Sequence, residues 1–122
     1  MCRNMYATLP AANIERARKF YSEKLDMTPK SVEPDGSLRY QCDGTEFLVY
    51  QTQYAGTAKN TAIGFHSDNI EHEMQELRSK GVVFEEYDMP GLKTVHGLAT
   101  IGDYKAAWFK DSEGNILAID QM

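Results

Sequence analysis

The residues best equipped for chemistry in this sequence are three histidines, two cysteines and a few carboxylates, and they are sparsely spread. His66 closes a run suited to a strand, Thr61 to His66, and Asp120 closes another, Ile116 to Asp120. On neighbouring strands these two could approach each other, as acid and base or as two ligands of an ion. A divalent metal normally takes three or more donors from the protein, so a pair is not a site. His72 falls two residues from both Ile70 and Met74, off the apolar stripe of its helix, and reads as solvated. His96 lies in a segment read as a long loop, Asp88 to Gly97, and the acidic run Glu85, Glu86, Asp88 reads as a solvated strand edge. Cys2 and Cys42 show neither metal spacing nor a secreted-domain pattern and read as free thiols. Gly-x-Ser-x-Gly, Gly-x-Gly-x-x-Gly and Walker patterns do not occur, so nucleophile elbows and nucleotide cofactors have no support.

The elements that must position these residues repeat. Asn13-Ile14-Glu15-Arg16-Ala17-Arg18-Lys19-Phe20-Tyr21 returns 56 positions later as Asn69-Ile70-Glu71-His72-Glu73-Met74-Gln75-Glu76-Leu77. Each copy opens on a side chain that caps free backbone N–H groups, Asn13 in one and Asp68-Asn69 in the other. Apolar residues then follow at helical spacing: Ile14, Ala17, Tyr21 and Leu25, and Ile70, Met74 and Leu77. A strand precedes each helix, Met5 to Leu9 and Thr61 to His66. After the first helix come Pro29, an extended stretch from Val32, a Pro34-Asp35-Gly36 turn, and strands Leu38 to Cys42 and Thr45 to Gln51 around Asp43-Gly44. After the second, Gly81 ends the helix, Val82 to Glu86 reads as a strand, and residues 99 or 100 to 110 and 116 to 120 flank the turn Asp111-Ser112-Glu113-Gly114. The order is strand, helix, three strands, twice, with module one at about 1–56 and module two at about 57–122.

Length and charge restrict what such a chain does. At 122 residues it fits one domain or two small modules fused, each half too small to be more than marginal alone. With 13 Lys and Arg against 18 Asp and Glu the net charge is −5, which argues against nucleic acid as a partner. No basic-then-apolar leader opens the sequence, and no apolar run approaches a membrane span, so a cytoplasmic protein without membrane partners is expected.

The helix-opening segment at 13–21, the closing Trp108-Phe109-Lys110-Asp111-Ser112-Glu113-Gly114-Asn115-Ile116-Leu117 and the two-module order resemble the vicinal oxygen chelate superfamily, which holds glyoxalases, extradiol dioxygenases and bleomycin-resistance proteins. The resemblance implies an α+β fold of two βαβββ modules whose sheets curl around a shared cavity, commonly in a homodimer. In metal-using members it implies four ligands from four strands on a divalent ion that polarises substrate oxygens. Carried over by position, those slots are Tyr6, Ala62, Ala118 and Leu48, the last with a one-residue uncertainty that admits Phe47 or Val49. One phenol and three hydrocarbons leave no metal and no cofactor to expect there.

What remains is a pocket of apolar walls and polar tips. Tyr6, Thr8, Tyr50, His66, Phe109 and Asp120 are the candidate ligand-binding residues, with Trp108, of opposite parity to Phe109, expected toward the helices. The loop from Asp88 to Gly97 has the glycines of a flap over such a pocket. The leading expectation is a metal-independent small-molecule-binding protein. Two alternatives stay open: a glyoxalase-like lyase or isomerase, or dioxygenase-type enzyme, using a metal through His66 and Asp120, and a drug or toxin sequestration protein. Whether any reaction is catalysed is left undecided by the residues, because the same scaffold serves enzymes and binders.

Overall fold

A computed structural model describes all 122 residues, Met1–Met122. The chain forms an α+β fold with two helices and two mixed sheets, and it divides into two compact units. The first unit comprises Met1–Ala58 together with Asp111–Asn115; the second comprises Lys59–Lys110 and Ile116–Met122.

In the first unit the elements are β1 (Ala7–Ala11), α1 (Ile14–Leu25), β2 (Ser31–Val32), β3 (Leu38–Cys42) and β4 (Thr45–Gln51). The sheet order is β1-β4-β3-β2, with β1 parallel to β4 and the rest antiparallel. The Asn13 side chain accepts from the Arg16 N–H at 3.0 Å and so starts α1; Asp26, in the left-handed region at φ 55°, stops it. Asp43, at φ 52°, makes the expected two-residue hairpin between Cys42 and Thr45. Leu9, Ala11, Leu38, Tyr40, Phe47 and Val49 are buried under α1, whose Tyr21 ring lies 5.4 Å from Tyr40 and 5.9 Å from Phe47. The alternate residues of the same strands form the open face.

The segment Asp111–Asn115 supplies this unit with its buried acids. Asp111 accepts from the Tyr21 hydroxyl at 2.6 Å, from the backbone N–H of Glu113 and Asn115, and from the Asn115 side chain. Glu113, its side chain fully buried, accepts from the N–H groups of Ala12 and Asn13 at the mouth of α1 and from the Arg16 guanidinium. Gly114, at φ 87°, closes the turn where a Cβ would stand 2.9 Å from the Gly56 backbone. Burial alone would raise the Glu113 pKa, but hydrogen bonds from Arg16, Asn13 and Ser112 and the Arg16 charge outweigh it and hold the group at about 2. The folded value lies below the ordinary 4.5, so the stabilisation is complete above pH 4.5 and is lost as pH falls from there toward 2. Urea titrations should show the native chain losing about 3 kcal/mol more than Glu113→Gln between pH 5 and pH 2. Parallel pH profiles for the two would show that Glu113 carries no such term.

The second unit contains β5 (Thr61–His66), α2 (Ile70–Ser79), β6 (Asp88–Met89), β7 (Leu92–Val95), β8 (Leu98–Ile101), β9 (Tyr104–Lys110) and β10 (Ile116–Gln121), in sheet order β5-β10-β9-β8-β7-β6. Strand β5 is parallel to β10; the others run antiparallel. Asn69 caps α2, and Gly81, at φ 91°, follows its end, as the sequence indicates.

Three expectations for this half are corrected. The loop at 88–97, read as a flap, is a pair of strands turned at Pro90-Gly91 and at His96-Gly97, where φ of 52° and 81° gives the twist a two-residue hairpin needs. The single strand expected up to residue 110 is broken by a turn at Gly102-Asp103 into β8 and β9. Val82 to Glu86 makes only an isolated bridge, Phe84 to Phe109, rather than a strand. The second unit therefore carries five strands after its helix rather than three.

Candidate functional site

On the open face of the first sheet, Tyr6 precedes β1, Thr8 opposes Leu48, and Tyr50 follows two residues along β4. Phe47 and Val49 point the other way into the core, so Leu48 is the member of that trio on the Tyr6 and Thr8 side. Arg39, opposite Leu48 on β3, lies 4.7 Å over the Tyr6 ring. Its guanidinium is committed to Glu33 at 2.6 and 2.9 Å and to Glu46 at 3.2 Å, and Lys30 reaches Glu46 at 2.9 Å. Those carboxylates, first Glu33, raise the Arg39 pKa further, while the hydrogen bond from Lys30 leads those that lower Glu46. This face is thus a charged network beside two tyrosines, with its cation already neutralised.

On the second sheet His66 opposes Asp120, Gly64 opposes Ala118, and Ala118 opposes Trp108 across β5, β10 and β9. His66 and Asp120, picked out by alternation, come together: Nδ1 of His66 is 2.6 Å from Oδ1 of Asp120. The second oxygen, Oδ2, accepts from the Tyr104 hydroxyl at 3.2 Å. Burial, then the Asp120 charge and hydrogen bond, push the Tyr104 pKa up, so the phenol stays a donor at neutral pH. The His66 side chain is 95% exposed and Asp120 22%. Between this polar end and Trp108 the sheet shows only Gly64, Ala118 and Ala106. A Cβ on Gly64 would meet nothing closer than 3.8 Å. Tyr87 stands edge-on to Trp108 at 5.5 Å and backs that wall.

Phe109 is a correction. It is fully buried, opposes the equally buried Leu117, and packs edge-on against Phe84 at 5.6 Å. Adjacent residues of a strand point to opposite faces, so Trp108, expected toward the helix, takes the open face in its place. Tyr104 and Trp108 are the site-facing residues that the sequence reading did not select. Knowing that Ala118 pairs with Trp108 would have found both, because Tyr104 is four residues from Trp108 on the same strand.

Two other places are set aside by their geometry. A depression of about 670 Å³ beside α2 is lined by Arg78, Val82, Phe84, Glu86, His96 and Gly97. Its Glu86 accepts from the Thr94 hydroxyl and the Gly97 N–H, which lower its pKa, and its Arg78 donates to the His96 carbonyl and lies over the Phe84 ring. Both charges are used in holding the hairpin. Cys2 and Cys42 are free thiols.

The four positions matched to a metal site carry Tyr6, Leu48, Ala62 and Ala118, and no group of three or more His, Cys, Asp or Glu side chains gathers anywhere. This donor set does not fit a divalent ion.

An α+β chain with a parallel first-to-last strand pair in each unit and a capped helix on one face of each sheet defines the class. The chain belongs to the Glyoxalase/Bleomycin resistance protein/Dioxygenase superfamily, whose family model matches residues 5–119. Solved structures it is similar to include UcmS2, 18% identical over 98% of each chain with a TM-score of 0.77. Another is TnmS3, an antibiotic binding protein from Streptomyces sp. CB03234, 18% identical over 99% of this chain and 98% of that one, TM-score 0.62. A third is the fosfomycin resistance protein FosX from Listeria monocytogenes, 11% identical over 100% and 92%, TM-score 0.69. At these identities the likeness is one of fold. No curated protein matches the chain in sequence. No helix is long and apolar enough to cross a membrane.

Proposed function

We propose that this protein binds a small, partly aromatic organic molecule without a metal ion, on the open face of the second sheet. The observation that carries the reading is the replacement of the family's ligand slots there by small hydrocarbons, Ala62 and Ala118, beside a bare glycine and an aromatic wall. A floor of Gly64 and Ala118 lets a flat ring approach the backbone. Trp108 offers it an apolar side, and Asp120, His66 and Tyr104 offer it a polar end. The antibiotic-binding and fosfomycin-resistance relatives make sequestration of such a molecule a role consistent with the fold. Tyr6, Thr8 and Tyr50 are proposed as ligand contacts of the first sheet's own open face, and the compartment as the cytoplasm.

Protein purified without chelator and dialysed should contain far less than one equivalent of any transition metal by elemental analysis. Added Zn²⁺ or Mn²⁺ should leave the indole N–H resonance of Trp108, the sole tryptophan, unmoved. An equimolar ion that survives dialysis and disappears in His66→Ala would sink the reading in favour of a metal held through His66 and Asp120.

A further inference from the structure

Asp120 uses both of its oxygens, and this fixes what His66 presents to a ligand. An ionised carboxylate only accepts hydrogen bonds. With Oδ2 receiving the Tyr104 hydroxyl, Oδ1 accepts in the 2.6 Å contact, so Nδ1 of His66 carries a proton, and in the neutral form of the ring that proton is its only one. The lone pair is then left on Nε2, on a ring that is 95% exposed. The arrangement is a carboxylate-oriented histidine acceptor, held by a tyrosine on the far side of the carboxylate.

The surroundings select what meets that acceptor. Strands β5 and β9 are separated by β10, and Trp108 lies two residues along β9 from Ala106, the residue level with His66, so two strand spacings across and two residues along, about 12 Å, separate the two backbone positions. Within it the face shows Gly64, Ala118 and Ala106, none of which carries a polar side chain, and Asp120, whose two oxygens are already engaged by His66 and Tyr104. A ligand lying there meets hydrocarbon beneath it, an aromatic edge on one side and a single hydrogen-bond acceptor on the other. We infer that the site takes a planar aromatic molecule whose ring bears an acidic hydroxyl, a phenol or an enol, donated to Nε2 of His66. A carboxylate or phosphate is disfavoured, because it would bring a second anion toward Asp120, and Lys110, which shares the parity of Trp108, lies at the end of β9 away from Asp120 and pairs with Glu85 at 3.4 Å. The inference rests on the proposed binding face and names the chemical class of its ligand.

The probes are 2-naphthol and its O-methyl ether, 2-methoxynaphthalene, titrated into ¹⁵N-labelled full-length protein while the indole N–H of Trp108 is followed. The ethers and phenols share the ring but only the phenol donates. The native chain should bind 2-naphthol roughly tenfold more tightly than the ether, the value of one hydrogen bond. His66→Ala, at an exposed position where folding is not at stake, should bind the two alike. In Asp120→Asn the side-chain amide can donate to Nδ1, which moves the proton to Nε2, so the preference for the phenol should also disappear. Equal native affinities for phenol and ether, or a preference that persists in His66→Ala, would overturn the inference and leave the binding face intact. If neither ring shifts the Trp108 resonance, the binding face fails and the inference fails with it.

Discussion

Asp111→Ala is expected to lower the unfolding free energy by about 3–5 kcal/mol, the largest loss for any single polar side chain in the first unit. The alanine deletes the acceptor for the Tyr21 hydroxyl, for two backbone N–H groups and for the Asn115 amide. Tyr21 is fully buried, so its hydroxyl would be left in the core next to Tyr40, whose own hydroxyl already lacks a protein partner. A second orphaned hydroxyl costs its full desolvation, and the turn at 111–115 loses the bonds that set its shape. Tyr21→Phe is the informative companion. It removes only the hydroxyl and leaves Oδ2 of Asp111 bonded to the Asn115 amide, so about 1–2 kcal/mol should be lost. Urea unfolding read by circular dichroism distinguishes the two. A loss below 1 kcal/mol for the alanine variant would mean that the acids of this turn do not hold the unit together. A total stability of roughly 5–15 kcal/mol makes the expected loss easy to measure.

The same turn shows what a sequence does and does not disclose. Asp111-Ser112-Glu113-Gly114-Asn115 is legible as the family's closing motif, and Asn13 as the opening of a helix. That Glu113 receives the N–H groups of Ala12 and Asn13 is not legible, because the partners lie 100 and 101 residues apart and only the folded chain brings them together. Alternation groups residues along a single strand, Leu48 with Tyr50 and His66 with Gly64. It could not fix the parity of β9 against β10, which depends on how many residues the turn consumes. The ladder pairs Lys110 with Ile116, leaving five residues between, and Phe109 faces Leu117. One residue of register thus exchanged Trp108 and Phe109 between core and open face. In the stretch from 88 to 104 the strands are short, and His96-Gly97 is a hairpin turn without the Asn or Asp that usually announces one. Here glycines read as loop residues were the corners of a meander.

Gly64→Val is expected to abolish ring binding while leaving the fold intact. Gly64 lies in the middle of β5, its φ is not in the left-handed region, and an added Cβ would touch only Ala118 at ordinary contact distance, 3.8 Å from the carbonyl oxygen and 3.9 Å from Cβ. Nothing in the backbone requires glycine. Valine restricts the unfolded chain and suits a strand, so stability should be unchanged or higher by up to about 1 kcal/mol. Its methyl groups, however, would stand on the floor between His66 and Trp108, where a bound ring needs carbon contacts at about 3.5–4.0 Å. A ring lifted off the floor loses both that contact and its alignment with Nε2, and affinity for 2-naphthol should fall by at least about tenfold. The position keeps a residue that lowers strand stability, as expected where an approaching ligand needs the space more than the sheet needs a side chain. The indole resonance of Trp108 reports binding and urea reports stability on the same sample. A valine variant that binds the ring as well as the native chain would place any ligand elsewhere than on this face; one that unfolds would show that Gly64 serves the strand itself.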